Sequence, residues 1–133
     1  MCRAATQNTV GCRGSATVSV EANREFYDMT DKRIILTTAG TQTEAHQIAR
    51  SLVERRLAAC VNISAPIESV YRWKGTVETA QEWMLLIKTT EAAAERVREA
   101  IRELHSYDLP ECITIPVEDG SAEYLNWIAA EVS

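Results

Sequence analysis

Histidine and cysteine are scarce in this chain, and scattered. It has two histidines and four cysteines. The cysteines are Cys2, Cys12, Cys60 and Cys112, and no two form a C-x-x-C pair, which excludes a zinc ribbon and a thioredoxin-type redox site. A glycine-rich phosphate loop, a G-x-S-x-G elbow and an H-E-x-x-H helix are all missing, so the common nucleotide-binding, serine-hydrolase and zinc-protease machineries are excluded. No apolar run approaches the length of about eighteen residues that spans a bilayer, so no transmembrane partner surface is expected. The formal net charge is −5. An acidic chain argues against nucleic acid as a partner, because phosphate neutralisation dominates that binding. It leaves a cation open as a ligand.

What is present reads as one domain. A chain of 133 residues with 46% apolar and 25% charged content is ordinary for a globular protein with a real core. Residues 1–28 stand apart. They hold no periodic apolar face and lack the apolar core of a secretory signal, and they read as a disordered or upstream extension. Arg3, Arg13 and the Ser/Thr content give a faint organelle-transit flavour. The domain is expected over residues 29–133, with reduced thiols in a cytoplasmic setting.

Within it, R-I-I-L-T-T (Arg33 to Thr38) is expected to be a buried strand, broken by Ala39-Gly40. Thr41 with Glu44 three residues on forms a capping-box signature. The helix that follows puts Ala45, Ile48, Ala49, Leu52, Val53 and Leu57 on one face. From Val61 the odd positions Val61, Ile63, Ala65, Ile67, Tyr71 and Trp73 alternate with mostly polar even ones, the period of a half-buried strand. Lys74-Gly75 turns the chain, and a second extended arm runs from Val77 to Thr89. At ~3.3 Å per residue the first arm would span roughly 40 Å, while a twelve-residue helix covers about 18 Å. One end of this hairpin therefore overhangs its helices. Tyr71, Trp73 and Trp83 on such an overhang would expose aromatic surface, so they are the expected interface residues of a homo-oligomer.

Thr90 is expected to cap a second helix, Glu91 to Leu104, with Ala94, Val97, Ile101 and Leu104 inward. Cys112 to Val117 reads as a short strand, marked as an edge by Pro116. Ser121 begins a terminal helix with Tyr124, Leu125 and Ile128 on its face. The order is βαββαβ plus a C-terminal helix, an α+β ferredoxin-like sandwich. The RNA-binding version of that fold stacks bases on aromatics of its central strands, and the first strand here has none.

For chemistry, His46 reads as a solvated helix position, and Cys60 and Cys112 as buried, inert thiols. No activated nucleophile is visible, so no enzyme is expected. The one cluster is His105, Tyr107 and Glu111, close together after the second helix, with Lys88 just before that helix. An imidazole, a phenol, an anion and a cation at a partly buried cleft make a ligand-binding set, or a structural ion-pair network that fixes the loop.

Five segments in order resemble the CutA-type divalent-cation-tolerance proteins. They are R-S-L-V-E-R-R-L-A-A-C-V-N-I, S-V-Y-R-W-K-G, L-L-I-K-T-T, L-H-S-Y-D-L-P-E and P-V-E-D-G-S-A-E-Y-L-N-W-I. The resemblance runs from about Lys32 to Ala130. It implies a homotrimer, similar in design to the PII signalling proteins, with a non-enzymatic role linked to copper and other divalent cations. It also implies an alternative, a small-molecule sensor with its ligand in the inter-subunit cleft. The resemblance also implies candidate copper ligands in some members, a Cys near the end of the first strand and a His pair after the second helix. Here those positions read Thr37 and Leu104-His105, which leaves His105 as the metal candidate and implies weak copper binding.

Overall fold

The computed structural model describes residues 30–133. The expected extension 1–28, with Cys2 and Cys12, and the domain start at Met29 lie outside the described residues. The elements run β1 (Lys32–Ala39), α1 (Gln42–Glu54), β2 (Cys60–Ile63), β3 (Ile67–Trp73), β4 (Thr76–Thr90), α2 (Glu91–Leu104), β5 (Ile113–Pro116) and α3 (Ala122–Glu131). All strand pairs are antiparallel. The sheet order is β2-β4-β1-β5, with β3 also pairing β4. This is the ferredoxin-like order, with its second strand split in two.

Each helix starts where a hydroxyl caps it. The side chains of Thr41, Thr90 and Ser121 accept from the backbone N–H groups of Glu44, Ala93 and Tyr124. The capping box is only half formed, because the Glu44 carboxylate bonds elsewhere. The apolar stripes of α1 and α2 close over one face of the sheet. Ile35, Leu85 and Ile87 meet Ala45, Ile48, Leu52, Val97 and Ile101 there, all essentially sealed from water. Val53 and Leu104, expected inward, are instead partly exposed at the helix margins.

The long first arm is not one strand. Ile63 lies opposite Leu85, and Ile67 lies opposite Glu82. Four steps on one side match three on the other, so residues 64–66 hold one extra residue, a bulge. Ser64 fills the gap: its N–H donates to the Met84 carbonyl and its hydroxyl accepts from the Met84 N–H, both at 2.9 Å. The bulge reverses the faces. Val61 and Ile63 pack with the helix-side core, opposite Ile87 and Leu85. Tyr71 and Trp73 sit opposite Glu78 and Thr76, on the other face.

The overhang is present. β1 ends at Ala39, opposite Trp83, so Thr76 to Glu82 of β4 has only β3 beside it. That ribbon projects roughly 23 Å at ~3.3 Å per residue. It closes in a two-residue turn with Lys74 at φ 52° and Gly75 at φ 84°, the positive-φ geometry of tight hairpins. Tyr71 and Trp73 are 40% and 43% exposed, and Val70 and Val77 on the reverse face are more so. Trp83 is at the ribbon's root and packs on the core, so the exposed aromatic trio is a pair.

The sheet face away from α1 and α2 is partly open. Ile34, Leu36, Leu86, Ile113 and Ile115 share it through direct cross-strand pairing, with Ile113 50% exposed. Cys60, paired with Lys88, is half-buried on this side too, outside the core expected for it. α3 contacts β4 and β1, and its buried Ile128 stands outside the helix-side core. Among the described residues no helix is long and apolar enough to cross a membrane.

Candidate functional site

The site forms because β5 is short. It pairs β1 only from Arg33 to Leu36, so Thr38 lies beyond its last partner. His105, the residue that ends α2, supplies the missing bond. Its Nε2–H donates to the Thr38 carbonyl at 2.5 Å. Its Nδ1 accepts from the Tyr107 N–H at 3.1 Å. These two bonds specify the tautomer with the proton on Nε2. The imidazole is 0% exposed.

Glu44 locks the same loop from α1. Its carboxylate accepts from the Ser106 N–H at 2.6 Å and the Ser106 hydroxyl at 3.0 Å, and lies 3.5 Å from His105 Nδ1. That is why it does not complete its capping box. Tyr107 then crosses over Gly40, its ring tilted against that of His105, and its hydroxyl donates to Glu82 at 2.8 Å. Burial raises the Tyr107 phenol, with help from the Glu82 hydrogen bond and the charges of Glu82 and Glu44, to about 12. Glu82 itself is 8% exposed. Beside it, Pro66, Ile67, Glu68, Thr79, Ala80 and Gln81 line an open hollow of ≈ 430 Å³ at the root of the ribbon.

Of the four expected ligand-binding residues, His105 and Tyr107 come together. Glu111 is half-buried next to Cys112 and joins none of these bonds. Lys88 is six residues from Glu82 along β4, about 20 Å away, and donates to the Asn62 side-chain oxygen on the open sheet face. Within one chain the four do not form a single cleft. Sequence reasoning missed Glu82, Glu44 and Gly40. Glu82 carried one signal: it is the last acid before the apolar run W-M-L-L-I, on the same alternation as Lys88.

The residues do not fit a soft metal ion inside one chain. Both His105 nitrogens are engaged in hydrogen bonds, and Thr37 offers a core hydroxyl where a thiolate would serve. Among the described residues no three His, Cys, Asp or Glu side chains group as metal ligands. His46 is exposed on α1, and burial raises the Cys112 thiol above its ordinary range.

Residues 33–131 match the family model described as CutA1 divalent ion tolerance protein. The divalent-cation tolerance protein CutA of Thermus thermophilus is 43% identical over 73% of this chain and 94% of its own length. The crystal structure of CutA from Xylella fastidiosa superposes with a TM-score of 0.77 at 41% identity, over 78% of this chain and all of that one. The structure of the periplasmic divalent cation tolerance protein CutA from Archaeoglobus fulgidus superposes with a TM-score of 0.74 at 40% identity, over 77% of this chain and 99% of that one. With its fold, motifs and nearly full-length relatives in agreement, the chain belongs to the CutA1 family of divalent ion tolerance proteins.

Proposed function

We propose that this chain serves divalent-cation tolerance as a non-enzymatic homotrimer, and that assembly completes its working surface. The overhanging ribbon carries this reading. Its outer β3 edge and the β4 edge from Thr76 to Glu82 lack strand partners among the described residues. Apolar side chains are exposed on both of its faces. A lone two-stranded ribbon is marginal in water, and open edges invite pairing. Laying the ribbon of one copy against the open sheet face of the next is a heterologous contact, and such contacts make a ring when the rotation between copies closes. The number three follows the family resemblance.

In this reading His105 anchors a loop and is not a copper ligand. Tyr107, Glu82 and the hollow at the ribbon root form one wall of an inter-subunit cleft, to which Lys88 and Glu111 belong once copies assemble. Free thiols at Cys60 and Cys112 suit a reducing compartment such as the cytoplasm. Light scattering on the full chain at micromolar concentration should return three times the 14.8 kDa chain mass. A monomer mass refutes the assembly. Cells lacking the protein should lose growth under copper or zinc challenge, and unchanged tolerance refutes the physiological role.

A further inference from the structure

Glu82 and Lys88 share one face of β4, and among the described residues neither is paired with an opposite charge. Glu82 is 8% exposed and bonds only the neutral Tyr107 phenol. No Lys or Arg reaches it among the described residues. The other charge that acts on Tyr107 is that of Glu44, another carboxylate. A buried anion without a cation is costly. Lys88 reaches its ammonium to the neutral Asn62 amide in an exposed bond, with no carboxylate bonded to it among the described residues. The two are about 20 Å apart along the strand, so they cannot meet within one copy.

The geometry points to an inter-subunit ion pair in which Lys88 of one copy seats against the Glu82–Tyr107 pair of the next. The proposal rests on the assembly argued above and names what each copy brings to the shared cleft. The other cations of the strands and of the ribbon's turn fit less well. Lys32 is held by Asp31 and Arg33 by Glu91. Arg72 folds back on the Gly75 carbonyl, and Lys74 lies over the Trp73 ring, 6.0 Å from its centroid, at the far tip of the ribbon. Lys88 is half-buried on the face that the ribbon of a neighbour would cover. One donor and one acceptor per copy, on opposite sides of a heterologous contact, give identical pairs around a closed ring. Each cleft then holds a carboxylate, a phenol and an ammonium, a set that one chain cannot supply.

Carbodiimide cross-linking tests this, because it joins only carboxylates and amines in close contact. Full-length chains, half of them isotopically heavy, are co-assembled, sized by light scattering, cross-linked and digested. The expected product joins the Glu82 and Lys88 segments, with about half of the linked pairs mixed in isotope. Glu82→Gln should abolish it. Lys88→Arg should also abolish it while leaving the assembly intact. A cycle of Glu82→Gln and Lys88→Met should show each substitution weakening association about tenfold and the double variant no further. If the chain is a monomer, the assembly reading fails. If it assembles but Glu82 links to another lysine, or the two substitutions add independently, assembly stands and this pairing is overturned.

Discussion

A methyl group at Gly40 should act entirely through one oxygen atom. A Cβ built there would lie 2.9 Å from the Tyr107 hydroxyl, closer than real contacts allow. The nearest ring carbons are both at 3.5 Å, an ordinary contact. Gly40 is not at positive φ, so alanine is compatible with the backbone. Gly40→Ala must therefore push the phenol aside and break its 2.8 Å bond to Glu82. Glu82 is 92% buried and has no other hydrogen bond among the described residues, so the loss is that of a hydrogen bond to a charged group, about 1.5–3 kcal/mol. Tyr107→Phe should cost the same, about 2 kcal/mol, because it removes the same bond. In the Phe background the clashing atom is gone. There Gly40→Ala should be neutral, or stabilising by about 0.5 kcal/mol through the unfolded chain. Urea unfolding of the four chains at one protein concentration closes the cycle, with unchanged m values as the control. An equal cost of Gly40→Ala in both backgrounds would mean that the backbone or ring carbons carry the clash, and the argument from the hydroxyl would be wrong.

Tyr107 rises from an ordinary 10.0 to about 12 on folding, so it adds stability that is complete below pH 10 and is lost as the pH climbs through about 12. The alkaline fall in stability should be smaller in Tyr107→Phe, and ultraviolet titration of the folded protein should show one phenol ionising near 12. Thr37 is fully buried and its hydroxyl has no partner among the described residues, so Thr37→Val should be neutral or stabilise by up to ~1 kcal/mol. A melting point that falls by several degrees would reveal a bond that the hydroxyl makes in the assembled protein. Calorimetry with copper on the full chain carrying Cys2→Ser and Cys12→Ser should find no site tighter than about micromolar, about −8 kcal/mol. One tight equivalent per chain, lost on His105→Ala, would restore the imidazole as a ligand.

The elements were legible wherever one local rule decided them. Thr41, Thr90 and Ser121 each cap the helix that follows, and the α2 stripe of Ala94, Val97 and Ile101 faces inward. Pro116 marks an edge strand, and β5 is one. The candidate site was legible only in its loop. His105 and Tyr107 are two residues apart and meet through local bonds. Their partners come from far along the chain, Thr38 and Glu44 on one side and Glu82 on the other. No periodicity records that Glu44 leaves its own helix cap to hold Ser106, or that Gly40 is small because a phenol crosses it. The same limit explains Lys88: its nearness in sequence to α2 suggested nearness to His105, yet Lys88 stands before the helix and His105 after it, and 14 helical residues carry those ends about 21 Å apart.

The bulge at residues 64–66 was the costliest thing to miss, because alternation alone cannot count an extra residue. Without it, Tyr71 and Trp73 would continue the face of Val61 and Ile63, toward the helices, in a ribbon that projects beyond both of them. With it, they share a face with Glu82 and, through the alternation of β4, with Lys88 and the open side of the sheet. One inserted residue thus brings the exposed aromatics onto the surface that Glu82 and Lys88 already share along β4. Deleting Ala65 should undo this. The ribbon would keep its turn and its length but rotate its aromatics to the other face, and the chain should fold yet fail to assemble at micromolar concentration in light scattering. Assembly of the deletion variant with unchanged affinity would show that the face on which Tyr71 and Trp73 lie does not matter to the interface.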